Sequence, residues 1–184
     1  LFYWDYVIGI VLFSIISALT LGTVGEQGRS FMDDLQQADS ANIRSAFTGG
    51  IIFNAANILF SAAIALAGMA VAFPIAIGLA LVLGVIINYA ASQKGDPTYL
   101  FLGVALVMIA IIINAIAYKR ISNANQKVSA KGIIISLIAG VLMSFFYSFI
   151  AASMDLENFE QPAVGKMTPY TAVFIAKPIW RVEI

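Results

Sequence analysis

No charged side chain interrupts residues 45–93, which read SAFTGGIIFNAANILFSAAIALAGMAVAFPIAIGLALVLGVIINYAASQ. The hydrocarbon core of a bilayer is about 30 Å thick and needs roughly 20 apolar residues per crossing helix. The stretch therefore has room for two crossings and one tight turn, which we place within residues 68–74. Outside a membrane, no ordinary fold accommodates a segment of this length and composition.

The composition of the whole chain supports the same interpretation. Hydrophobic residues make up 61% of the chain, charged residues make up 11%, and the mean hydropathy is +0.93. These values lie far from those of soluble domains. The chain contains no cysteine and no histidine, which excludes disulfides, thiol catalysis, Cys/His metal sites and a histidine proton relay.

The pattern predicts an all-α, polytopic transmembrane bundle that forms one domain over residues 1–184. We expect five full spans and a truncated sixth, at residues 3–22, 46–67, 70–91, 98–118, 132–154 and 169–184. The chain begins with Leu1 and ends in a segment that carries Lys177, Arg181 and Glu183. We interpret it as an internal segment of a longer integral membrane protein.

The loops differ in charge, and this difference predicts their sides. Residues 119–131 carry four bases, Lys119, Arg120, Lys127 and Lys131, and no acid. Lys and Arg accumulate in cytoplasmic loops, so we expect this loop to be cytoplasmic, in a bacterial inner membrane or a plasma membrane. Successive loops alternate between the two sides of the membrane. The polar loops at 23–44, 92–97 and 155–168 should therefore lie on the other side. For the loop at 23–44 we favour a short, solvated surface helix; the alternative is a gate formed by Gly25, Arg29, Asp33 and Asp34.

Polar side chains at membrane depth cost free energy unless they face a partner helix or a wet cavity. Their carbonyl and NH2 groups suit a neutral, amide-rich or hydroxylated solute. The alternative is that they bond across helices and hold the bundle together. The candidate cavity residues are Asn54, Asn57, Asn88, Asn114 and Tyr147. Small residues that favour close helix packing occur at Gly49, Gly50, Gly78, Gly84 and Gly140.

Asp5 is the acid nearest to a predicted span. Its place among aromatic residues favours solvation at the interface, and the alternative is a role in coupling transport to protons. We find no phosphate-binding loop, paired buried carboxylates or nucleophile arrangement. The sequence therefore predicts no enzyme, no cofactor, no metal and no nucleic-acid partner.

Three segments resemble the ureide permease family of the drug/metabolite transporter superfamily. They are Gly25-Glu26-Gln27-Gly28-Arg29-Ser30-Phe31-Met32-Asp33-Asp34-Leu35, Gly49-Gly50-Ile51-Ile52-Phe53-Asn54-Ala55-Ala56-Asn57 and Ala67-Gly68-Met69-Ala70-Val71-Ala72-Phe73-Pro74-Ile75-Ala76-Ile77-Gly78. The later pieces Asn88-Tyr89, Gly95-Asp96-Pro97 and Asn114-Ala115-Ile116-Ala117-Tyr118-Lys119-Arg120 fit the same family.

The resemblance implies a ten-helix transporter made of two inverted five-helix halves, which works by alternating access. It implies a small, neutral, nitrogen-rich substrate such as a ureide or nucleobase, since plant members move allantoin and uracil, with protons as the coupling ion. Plant members carry a long central loop with a nucleotide-binding-like motif. The loop at 119–131 is short and has none, and we interpret the chain as a bacterial-type member.

Two other functions stay open at this stage. A sugar uptake permease of the same superfamily would use amides and tyrosines equally well for hydroxyl groups. A non-transporting membrane scaffold would need no solvated cavity. A homo-oligomer is compatible with all three hypotheses.

Overall fold

A computed structural model describes residues 2–24, 28–93, 95–121, 129–159 and 161–176. Across these ranges the chain is helical and contains no strand beyond one isolated bridge between Met154 and Met167. The helices are α1 (Phe2–Leu19), α2 (Phe31–Gln37), α3 (Ser40–Ala67), α4 (Met69–Ser92), α5 (Pro97–Ile121), α6 (Ala130–Ser153) and α7 (Pro169–Ile175). The predicted all-α class is confirmed.

Four of these helices are long and apolar enough to cross a membrane: Ser40–Ala67, Met69–Ala91, Pro97–Asn114 and Ala130–Ser153. The described apolar part of α1, Asp5–Leu19, is shorter, and its crossing stays a prediction. Helix α3 begins before the expected span at residue 46 because the polar turns around Arg44 continue the same helix. Its 28 residues give a length of about 42 Å at 1.5 Å per residue, which exceeds the hydrocarbon core.

The chain divides into two compact units, of which one comprises residues 52–147. In this unit the turn between α3 and α4 is a single residue, Gly68, whose φ of +80° suits glycine. Pro74 consequently lies inside α4. The predicted turn within residues 68–74 is confined to Gly68, and the following residues through Pro74 already belong to α4.

Helices α4 and α5 pack against each other within this unit. A Cβ on Gly78 would overlap the side chain of Ile111, and a Cβ on Gly140 would lie 2.7 Å from the carbonyl oxygen of Ala76. Both glycines therefore permit close helix packing, as predicted. Gly84 has open space around its Cβ position, so the same prediction is wrong for Gly84.

The other unit comprises residues 1–51 and 148–184. Here α7 packs on both α1 and α2. Its buried cluster consists of Ala46, Met167 and Ala172, and partly buried apolar residues, including Ile43 and Ile150, pack against it. The predicted truncated span at 169–184 is described only through α7 and Ala176, and its remainder lies outside the described residues, as do residues 122–128 of the basic loop.

Candidate functional site

The predicted cavity residues of α3 lie one turn apart in the unit formed by residues 52–147. Asn54 and Asn57 are both partly buried. The rings of Phe53 and Phe146 have centroids 4.7 Å apart, which brings α3 alongside the part of α6 that carries Tyr147. Asn54 and Asn57 on α3 and Tyr147 on α6 therefore lie on neighbouring helices.

The side chain of Asn57 is bonded within its own helix. Its Nδ2 donates to the backbone carbonyl of Phe53 at 2.9 Å. Among the described residues the structure shows no hydrogen bond from this side chain to another helix. The carboxamide oxygen remains as an acceptor.

Asn88 shows the same local geometry on α4. Its Nδ2 donates to the carbonyl of Gly84 at 2.7 Å, and its side chain is partly buried. The neighbouring Tyr89 makes an edge-to-face contact with Phe101, with ring centroids 5.6 Å apart. This aromatic pair holds the end of α4 against the start of α5 next to the amide.

The other candidates are more exposed. Asn114 is exposed on α5, and 44% of the Tyr147 surface is accessible. Asp5 is exposed in the first turn of α1, where a carboxylate interacts favourably with the helix dipole. Solvation of Asp5 at the membrane interface stays a prediction.

A polar cluster that the sequence did not predict joins the loop at 28–42 to the loop at 162–168. At its centre lies Asp34, whose side chain is fully buried. The Oδ2 atom of Asp34 accepts from Thr168 N at 2.8 Å and from Thr168 Oγ1 at 3.0 Å. Its Oδ1 atom accepts from Gln37 Nε2 at 3.3 Å and lies 3.3 Å from Arg29 Nε.

Arg29 links the same carboxylate to the second loop. Its Nη2 donates to the carbonyl of Pro162 at 2.6 Å and also contacts the carbonyls of Ala163 and Lys166. The N–H at Nε does not point along a hydrogen bond to Asp34, so we regard this contact as a charge pair and the Nη2 contacts as the directional bonds. Arg29 thereby neutralises the buried charge of Asp34 and also donates hydrogen bonds to carbonyls of the second loop.

Gly165 forms the third part of the cluster. Its N–H donates to Gln37 Oε1 at 2.7 Å, and its carbonyl accepts from Asp39 N at 3.0 Å and Asn42 Nδ2 at 2.8 Å. Its φ is +86°, and a Cβ there would overlap the Asp39 carboxylate. Glycine is required at this position for both reasons.

We call this cluster the clasp and define it as Arg29, Asp34, Gln37, Asn42, Gly165, Lys166 and Thr168. Lys166 belongs to it because its Nζ donates to Asn42 Oδ1 at 3.4 Å and to the carbonyl of Ala152 at the end of α6. The interpretation of the loop at 23–44 as a solvated helix is therefore wrong for Asp34. It holds for Met32 and Asp33, which are exposed.

The local sequence does contain signals for the helix ends that carry the clasp. Ser30 caps α2 and Thr168 caps α7, each accepting from the backbone N–H three residues later, and Pro169 follows as the first residue of α7. Ser or Thr at the N-cap and Pro at the next position are typical helix starts. No local signal shows that the two starts meet, since Asp34 and Thr168 are 134 residues apart.

Metal chemistry has no support in the described part of the chain, where no group of three His, Cys, Asp or Glu side chains could hold an ion. The uncharged amides can form hydrogen bonds to a solute, and the clasp positions the two loops that it joins. Neither contains an activated nucleophile.

These observations define a class, the polytopic α-helical integral membrane proteins. The family model described as Ureide permease matches residues 2–131. This is well over half of the chain, and the chain therefore belongs to the ureide permease family, whose members are permeases rather than enzymes. The resemblance seen in the sequence is confirmed.

Individual relatives agree with the family. The chain is 32% identical to Ureide permease 1 of Arabidopsis thaliana over 118 residues, which is 64% of this chain and 30% of that protein. It is 31% identical to Ureide permease 2 of the same plant over 128 residues, or 67% and 32% of the two chains. Probable ureide permease A3 of Vigna unguiculata is 27% identical over 177 residues, or 94% and 46%.

The chain thus spans less than half the length of each of these relatives. No solved structure matches it. The family model covers the half of the clasp that lies before residue 131, and the alignment to the Vigna protein, at 94% of this chain, is long enough to include part of the second half.

Proposed function

We propose that this chain forms part of a secondary transporter that moves a small, neutral, nitrogen-rich solute, such as a ureide or nucleobase, by alternating access. Membership of the ureide permease family is the observation that carries the proposal. The names of the relatives describe ureide permeases, and we extend that activity to this chain.

The chemistry of the amide residues supports a neutral solute. Residues 45–93 contain no charge, and a charged solute at that depth would be left without a partner of opposite sign. A carboxamide oxygen accepts from an N–H, and a carboxamide NH2 donates to a carbonyl. Ureides and nucleobases present both groups on one edge.

Asn57 is the residue on which this proposal depends most. Its NH2 group is bonded to the carbonyl of Phe53, which fixes the orientation of the side chain. The oxygen, the acceptor, is left for a solute N–H. Asn54 and Asn88 extend the same set, and Asn114 and Tyr147 belong to it only if other helices of the complete protein cover their exposed surfaces.

The remaining parts of the proposal concern the complete protein. We propose ten helices in two inverted halves, with the substrate between the halves, as in other transporters built from such repeats. We propose protons as the coupling ion, with Asp5 as the candidate coupling residue. The membrane is a bacterial inner membrane or a plasma membrane, with residues 119–131 on the cytoplasmic side.

The test is uptake of labelled allantoin, uracil and sugars by cells that express the complete gene, with and without a pH gradient. Gradient-dependent uptake of allantoin or uracil supports a proton-coupled ureide or nucleobase transporter. Uptake of labelled sugar that unlabelled allantoin and uracil leave unchanged favours the sugar permease. Lack of uptake of all three solute classes, with the protein present in the membrane, contradicts the transport proposal.

A cysteine series distinguishes a transporter from a scaffold. The chain has no cysteine of its own, so single cysteines at Asn54 and Asn57 report on water access at membrane depth. The matched control is Ile51→Cys, at an exposed apolar position of the same helix. A water-soluble thiol reagent should label positions 54 and 57 faster than position 51. Equal, slow labelling at all three positions would favour the scaffold.

A further inference from the structure

We propose that the clasp is a reversible latch: it is closed in this structure, and its release separates the α2 loop from the start of α7 on one side of the membrane. The latch role deepens the proposed function and rests on it, because a transporter that works by alternating access needs an element that opens and closes at each face. The closed and released forms of the clasp supply such an element.

The surface helix that the clasp holds is too short to be stable by itself. Helix α2 has seven residues, and isolated helices shorter than about 12–15 residues are marginal in water. It begins at the cap residue Ser30 and docks on α7 through the edge-to-face pair of Phe31 and Phe174, whose ring centroids are 5.1 Å apart. Loss of the clasp should therefore undock α2 from the start of α7 in one step, which gives a two-state element.

The contacts that hold the clasp are polar, and this chemistry suits release. A buried ion pair adds little net stability because desolvation offsets the attraction between the charges. Each loop carbonyl that accepts from Arg29 or Asn42 can accept from water after release, so the net free energy of each hydrogen bond is modest. The apolar contact between α2 and α7 is centred on one ring pair.

The arrangement of the helices agrees with a latch at one face. The loops that form the clasp are separated by α3, α4, α5 and α6, the four helices long enough to cross a membrane. An even number of crossings returns the chain to the side from which it started.

Thr171 offers a reporter of latch opening. It is fully buried behind the clasp, and its hydroxyl lies 3.1 Å from that of Thr168. We would introduce Thr171→Cys into a cysteine-free form of the complete protein in lipid nanodiscs, where both faces are accessible. The rate of labelling by a water-soluble maleimide then measures how often the clasp opens.

The decisive comparison is Asp34→Asn against Asp33→Asn. Both substitutions remove one carboxylate charge from α2, but Asp33 is exposed and lies outside the clasp. We expect Asp34→Asn to speed labelling at position 171 about ten- to hundredfold, the factor that corresponds to loss of one charge-assisted hydrogen bond. Asp33→Asn should leave the rate within about twofold, as expected of a surface substitution.

Three further variants keep the test decisive. Val164→Cys, at a residue that is 91% exposed, gives the rate for a fully accessible thiol, and the closed clasp requires position 171 to label much more slowly. If the Asp34→Asn protein does not reach the membrane, Thr168→Val replaces it in the test. This substitution removes one of the two hydrogen bonds to Asp34 Oδ2, so it should speed labelling at position 171 by a smaller factor than that expected for Asp34→Asn. Thr168→Ser should restore the parent rate.

The outcomes separate the latch from the transport proposal. Equal labelling rates in the parent, Asp34→Asn and Thr168→Val would overturn the latch, whatever the uptake assay shows. Faster labelling in Asp34→Asn with unchanged uptake of allantoin or uracil would overturn its role in the transport cycle. Faster labelling in a protein that transports none of the tested solutes would keep the latch and contradict the proposed function.

Discussion

The polar side chains of Asp34 and Asn57 obtain their hydrogen bonds in different ways. Asp34 is fully buried and Asn57 is partly buried within a predicted span, and a polar group removed from bulk water must be hydrogen-bonded. Asn57 uses the carbonyl of Phe53 four residues earlier in the same helix. Asp34 uses Thr168, which lies 134 residues later in the chain. A local sequence pattern can indicate the first kind of contact, and it holds no information on the second.

At Asn57 we expect substitution by leucine in the complete protein to abolish uptake without lowering the amount of protein in the membrane. Leucine keeps the branching at Cγ, although its methyl groups are larger, and it removes the acceptor oxygen that the proposal assigns to the solute. Uptake and membrane abundance are measured in the same cells. The control is Ala55→Leu, at an exposed position of the same helix. Unchanged uptake in Asn57→Leu would show that Asn57 serves only helix packing.

Gln93 carries a strained backbone that a glycine would relieve. It ends α4 with φ of +47° and donates its N–H to the carbonyl of Tyr89. The left-handed conformation costs a non-glycine residue about 1–2 kcal/mol, so Gln93→Gly should raise the thermal midpoint of the detergent-solubilised protein. Gln36→Gly, at an exposed position inside α2, should lower it, and a lower midpoint in both variants would contradict the argument.

At the scale of the element, helix boundaries follow local chemistry closely. Gly68 ends one helix and starts the next, and Gly95 with Pro97 separates α4 from α5. Glycine and proline at these positions were visible in the sequence. The length of α3 was underestimated because Arg44 and its neighbours suggested a loop, although charged residues are good helix formers wherever the helix projects beyond the hydrocarbon core.

Close packing between elements is tested by adding one methyl group. A Cβ on Gly50 would overlap the backbone carbonyl of Ala176, which cannot move as a flexible side chain can. Gly50→Ala should destabilise the protein by about 1–3 kcal/mol, the usual cost of overpacking, and lower its membrane abundance. Gly103→Ala, on α5 with open space around the Cβ position, should have no such effect; equal loss in both variants would point to a general intolerance of substitution.

At the scale of the whole molecule, the charge of the loops and the clasp both bear on which side of the membrane each loop occupies. The basic loop predicts a cytoplasmic face. The clasp brings the loops before α3 and after α6 into contact, which is possible only if both lie on one side. Four helices that are long enough to cross a membrane separate these two loops, and contact on one side requires such an even number.

The sidedness itself can be measured with single cysteines in intact cells. We expect an impermeant thiol reagent to label Met32→Cys and Val164→Cys from outside, since both residues are exposed. A cysteine at Ala124, in the basic loop, should be labelled only after permeabilisation. The reverse pattern would place the clasp in the cytoplasm and invert the proposed topology.

The all-helical membrane class, the helices and their breaks, and the family could all be predicted from the residues, because a bilayer demands long uncharged helices and a loop residue such as Gly68 acts locally. The clasp could not be predicted. Its seven residues come from opposite ends of the chain, and their types are ordinary in solvated loops. Only tertiary structure brings Asp34 to Thr168 and Gln37 to Gly165, because a hydrogen bond depends on distance in space, whereas a sequence pattern records distance along the chain.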